Sequence, residues 1–152
     1  MEKYFKQYSN SLDRMLRHAT LRSEVLTDYG LNGKLGMAIL FFEYGRLYKD
    51  DLYKLYAEEL LDNILNLPNS IPMDFPNGLI GIAWGIVYLH RNKFISGDLQ
   101  EILGDIDDIL KANLSTSDKD YLSYLVFRNG SEPKNDVYSE EDVISMIWNN
   151  WA

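Results

Sequence analysis

Asn32-Gly33-Lys34-Leu35-Gly36-Met37-Ala38 and Asn77-Gly78-Leu79-Ile80-Gly81-Ile82-Ala83 share the pattern Asn-Gly-x-x-Gly-apolar-Ala at a spacing of 45 residues. Both copies open a strongly apolar stretch. A period of about 20 to 50 residues marks a repeat architecture, in which a unit too thin to own a core buries its apolar face against its neighbours. The chain is therefore expected to be a stack of like units.

The character of the units follows from periodicity. Tyr4, Tyr8, Leu12, Met15, Leu16 and Ala19 recur at helical spacing, which predicts an amphipathic helix over residues 2–19. Lys34 to Tyr48 is apolar almost all round, as a central helix is. Asp50 to Leu67 carries one stripe (Leu52, Tyr56, Leu60, Ile64, Leu67) and ends at Pro68-Asn69-Ser70-Ile71-Pro72. The alternation then repeats. Leu79 to Asn92 is apolar, and Asp98 to Asn113 is amphipathic through Leu99, Ile102, Leu103, Ile106, Ile109 and Leu110. Each unit reads as a helical hairpin, inner helix first. A third, degenerate unit has Ser117 as a helix cap, Gly130 as a stop, and Ser139 with Asp142 as a capping pair before a last helix. No stretch alternates with period two for the length of a strand.

The reading is thus all-α: repeated helical hairpins forming an arc or partial α/α toroid. It is one domain over 1–152, with units at about 28–72 and 73–116 and the degenerate unit at 117–152. In the motif, Gly33 and Gly78 are expected to take positive φ, beside the turn-tolerant Asn32 and Asn77. Gly36 and Gly81 are expected to admit another backbone close to the first helical turn, at a propensity cost of about 1 kcal/mol each. An anion site at these helix starts is the functional alternative, but no strand precedes them and no Gly-Lys-Ser/Thr follows.

Net charge of −8 disfavours nucleic acid and suits a basic peptide or protein face. The absence of cysteine excludes disulfides, thiolate nucleophiles and thiolate metal sites. Met1 to Lys6 has no apolar signal core and no 18-residue apolar run occurs, so no membrane partner and a cytoplasmic location are expected.

Gly30-Leu31-Asn32-Gly33-Lys34-Leu35-Gly36, with the apolar run after it, resembles the repeat signature of lanthionine synthetase C-like (LanC-like) proteins. Phe75-Pro76-Asn77-Gly78-Leu79-Ile80-Gly81 matches in its last two glycines and lacks the leading Gly-Leu. The resemblance covers residues 28 to 112 best. It implies an α/α toroid whose inner helices are opened by such motifs. In that family two Cys and one His hold a catalytic zinc that activates a peptide thiol. This chain has no Cys, and Asn32 and Asn77 stand where the family's His precedes a repeat glycine. No catalytic, cofactor or metal residue carries over. The resemblance then implies a non-catalytic module binding a peptide or protein partner in a lanthipeptide-type peptide-modification system. The alternatives are a carbohydrate-directed enzyme using a carboxylate pair on the same scaffold, or a truncated cyclase, the chain being less than half a full toroid.

Other candidates for chemistry have plainer readings. His18 and His90 sit near helix C-termini, where a cation is favoured. Asp50-Asp51, Glu58-Glu59 and Asp105-Asp107-Asp108 read as solvated faces of outer helices. Glu43, inside an apolar helix, needs a partner, and Arg46 is the expected one. At the chain end, Ile147, Trp148 and Trp151 are either tucked onto the core or offered to another chain. An open solenoid end makes self-association into a homodimer through them the expectation.

Overall fold

The computed structural model describes Arg14 and residues 29–67, 71–130 and 137–151. The expected helix over 2–19 with His18, the joint at Pro68, the loop at 131–136 and the side chain of Trp151 lie outside the described residues. The described residues form six helices and no strand: α1 (Lys34–Tyr48), α2 (Asp51–Leu65), α3 (Leu79–Arg91), α4 (Leu99–Asn113), α5 (Lys119–Asn129) and α6 (Glu140–Trp151).

The two repeat units are hairpins, α1 with α2 and α3 with α4, and α1 packs on α3. Their register is read from the hydrogen bonds that join them. Leu31 N–H donates to the Pro76 carbonyl at 3.1 Å, Asn32 N–H to Asn77 Oδ1 at 3.0 Å, and Tyr88 O–H to Glu43 at 2.5 Å. Each partner lies 45 residues further on. A constant difference in number, rather than a constant sum, means that α1 and α3 run parallel with each residue facing its own equivalent. Both are apolar because both are enclosed: every residue from Leu35 to Phe42 and from Leu79 to Leu89 is buried.

The outer helices are amphipathic and are started by carboxylates. Asp50 Oδ1 accepts from Leu52 N–H at 3.0 Å and Asp98 Oδ1 from Gln100 N–H at 2.9 Å. The inward face of α2 differs from the expected stripe. Tyr53, Ala57, Leu60, Leu61 and Ile64 are buried, while Leu52 is 47% exposed. The Tyr53 ring meets Phe41 edge-on at 5.6 Å and Tyr44 at 4.2 Å, which turns the helix one position from the Leu52–Tyr56 line.

In the third unit α5 takes the place of an inner helix without the motif. Its Phe127 ring stacks on Trp84 of α3 at 4.5 Å. Asp118, not Ser117, caps it, accepting from Tyr121 N–H at 3.0 Å, because the Ser117 hydroxyl is taken up with Ser115 at 2.5 Å. Gly130 ends α5 in the left-handed region (φ 67), as expected of a C-terminal glycine. Ser139 and Asp142 form the reciprocal capping pair at 3.1 and 3.3 Å.

α6 returns to the first unit. Asn150 donates to the Asn32 carbonyl at 3.2 Å, and Ile147 lies beside Gly36. The later α6 residue meets Asn32, just ahead of α1, and the earlier one meets Gly36 inside it, so α6 runs opposite to α1. Val143, Ile144, Ile147 and Trp148 join one core with α1 and α3.

Candidate functional site

The Asn-Gly motif forms the corner where the two units lock together. A Cβ added to Gly36 would lie 1.9 Å from the Leu31 carbonyl oxygen, and one added to Gly81 would lie 1.7 Å from that of Pro76. Leu31 and Pro76 are themselves equivalents joined by a hydrogen bond. So the close backbone at each helix start is the loop entering that same helix, not a neighbouring helix about a shared axis. Across the seam, a Cβ on Gly30 would fall 2.3 Å from Asn77 Cα. The expected positive φ is absent: Gly33 has φ −130° and Gly78 φ −90°. Gly78 is required by space instead, since a Cβ there would meet the Pro72 oxygen at 2.4 Å. With its amides turned to its own loop and to the partner unit, the corner is an architectural joint.

The exits of α1 and α3 are polar. Burial lifts the Glu43 carboxyl above its ordinary value of 4.5, against the opposing pull of the Tyr88 hydroxyl and the Arg46 charge. Glu140 at the start of α6 pushes it further up. Burial, and then the charge and hydrogen bond of Glu43, push the Tyr88 phenol well above its usual range. Thus Tyr88, rather than the expected Arg46, is the hydrogen-bond partner of Glu43. Arg46 instead reaches into the next unit. Its Nη1 donates to the Asn92 carbonyl at 2.6 Å, and its guanidinium lies 3.5 Å from the Phe94 ring centroid. Arg91, its repeat equivalent, does the same one unit later, donating to the Phe127 carbonyl and stacking on that ring at 4.3 Å. His90 Nε2 donates to the Gly97 carbonyl at 2.9 Å, so its ring fastens the loop after α3.

Of the carboxylates expected in water, Asp50 caps α2 and Asp107 is tied to a neighbouring helix. Asp107 accepts from Tyr124 at 2.6 Å and pairs with Arg128 at 3.2 Å, tying α4 to α5. Among the described residues no three His, Asp or Glu side chains gather to hold a metal ion.

Of the chain-end residues, Ile147 and Trp148 are placed inside. Ile147 is 0% exposed and Trp148 1%, packed in this chain's own core rather than on an open apolar end. Exposed apolar surface lies elsewhere. Between α2 and α4 a groove of about 370 Å³ is floored by Leu79, Ile82 and Ile86 of α3 and walled by Ile64, Ile102 and Ile106. Leu65 and Ile109 form its lips, 54% and 44% exposed, and Asp105 is its one acidic lining residue. Periodicity marks Ile64, Ile102, Ile106 and Ile109 as parts of helix faces. It could not show that two outer helices stand apart over a shared inner floor.

Comparison with protein-family models, curated proteins and solved structures found no match. No helix among the described residues is long and apolar enough to cross a membrane.

Proposed function

We propose that this chain is a non-catalytic helical-repeat module that binds a peptide or protein partner in the groove between α2 and α4. The observation that carries the reading is the groove itself: about 370 Å³, aliphatic on both walls and floor, with Leu65 and Ile109 open to solvent at its edges. A net charge of −8 and the carboxylate of Asp105 favour a segment with aliphatic anchors and basic flanks. The resemblance to LanC-like proteins is what suggests a cytoplasmic peptide-modification setting for that partner.

The test is fluorescence anisotropy with a labelled amphipathic peptide bearing leucines at helical spacing and flanking lysines. Micromolar binding that is lost in Leu65→Asp/Ile109→Asp supports the proposal, and undiminished binding by that variant contradicts it. Sedimentation of the unliganded protein in parallel distinguishes a second copy of the chain as the occupant: a dimer abolished by the same substitutions would replace the peptide with self-association.

A further inference from the structure

A second cleft, of about 340 Å³, opens at the exits of the inner helices, away from the groove. Its floor is the Phe42 and Phe94 rings, 5.4 Å apart, and four cations surround it: Arg46, Lys49, Lys54 and Lys93. Asp51 is the one carboxylate in the lining. In a chain of net charge −8, four of the 15 Lys and Arg residues thus converge on one cleft. The negative ends of α1 and α3 favour a cation apiece, which accounts for only part of this set.

Backbone conformation supplies an independent observation. Lys49 (φ 52) and Lys93 (φ 63) are the only non-glycine residues at positive φ among the described residues, and both line this cleft. Each follows an inner helix at nearly the same place in its unit. A left-handed residue closes each inner helix here, with Asp50 N–H on the Gly45 carbonyl and Phe94 N–H on that of Leu89, yet glycine is the relaxed choice for such a stop and both places carry a lysine that lines the cleft. Neither takes part in an ion pair among the described residues, and Lys54 meets Glu58 only at 4.0 Å with both side chains more than half exposed.

We propose that this cleft binds a small phosphate-bearing molecule. Arg46 is already stacked on Phe94 and bonded to Asn92, so its planar fork is not offered whole to a carboxylate. Three lysines, as rotatable point charges, suit the tetrahedral oxygens of phosphate. A long polyanion would meet the acidic remainder of the surface, whereas a small one stays within the cleft. The site is independent of the groove between α2 and α4.

Calorimetric titration with tripolyphosphate, inorganic phosphate and citrate tests it. Tripolyphosphate binds most tightly, and Lys49→Gln/Lys93→Gln weakens it by about tenfold or more, as loss of charge-assisted bonds does. Lys111→Gln/Lys119→Gln, whose lysines lie outside the cleft, leaves it unchanged. Lys49→Gly raises the Tm while weakening binding, a split that a purely structural lysine does not give. Citrate binding as tightly as tripolyphosphate, equal losses in the two double variants, or no heat at millimolar tripolyphosphate overturns the proposal. A phosphoserine peptide that binds more tightly than tripolyphosphate would also overturn it, by moving the site to a modified partner.

Discussion

At their entrances α1 and α3 meet through backbone; at their exits they meet through side chains. The entrance joint is Gly30 against Asn77, with the Leu31 amide on the Pro76 carbonyl and no space for a Cβ at Gly36 or Gly81. The exit joint is Glu43 with Tyr88, Arg46 on Phe94, and two strained lysines around an open cleft. Backbone contacts fix a register to a fraction of an ångström and tolerate no addition. Side-chain contacts hold the same two helices more loosely and leave surface available for a ligand. One end of the pair sets the architecture, and the other is free to carry chemistry.

Substitutions should separate the two ends by size and sign. The largest effect is expected at the entrance: Gly81→Ala or Gly36→Ala drives a methyl into a carbonyl and costs about 3 kcal/mol or more, seen as a lower urea midpoint. The same change at Gly104, mid-α4 with nothing within 4 Å, should instead stabilise by about 1 kcal/mol through helix propensity. At the exit, Arg46→Ala removes one carbonyl bond and one stacking contact and should cost about 1–2 kcal/mol without loss of fold. Lys49→Gly should gain about 1 kcal/mol by relieving its left-handed backbone.

The smallest effect is one of slope. The folded chain holds the Glu43 proton more tightly than the unfolded chain does, so stability falls as pH rises from 4.5 toward the raised native value and stays reduced above it. Glu43→Gln keeps an acceptor for Tyr88 and should flatten that part of the curve in urea melts at stepped pH. A curve of unchanged slope would mean that Glu43 is not the group responsible.

Much of this fold was legible because helix-long patterns are strong signals. The apolar runs at Lys34–Tyr48 and Leu79–Arg91 and the Ser139–Asp142 pair stand in the chain as they stand in the fold, whereas Asp50, read as part of a solvated face, caps the start of α2. Features set by contacts between helices were not legible. The inward face of α2 depends on where the Tyr53 ring finds Phe41 and Tyr44. Glu43 had a cation three residues on, yet bonds its repeat equivalent because the parallel register brings Tyr88 to it. Gly36 and Gly81 signalled a close backbone but not that it is their own entering loop, and Gly78 is held by lack of space rather than by positive φ. Both clefts are assembled from residues that are unremarkable one at a time: isoleucines on three helices, and lysines at two helix ends.

The in-register, parallel pairing of α1 and α3 underlies each of these expectations, and a nuclear Overhauser spectrum of labelled protein reads it directly. The pairing predicts a strong cross-peak from Gly30 Hα to Asn77 Hα, together with cross-peaks from the Tyr88 ring to the Glu43 side chain. Cross-peaks joining the Asn32 corner to the Tyr88 end, or a Gly30 Hα that sees only its own unit, would contradict it.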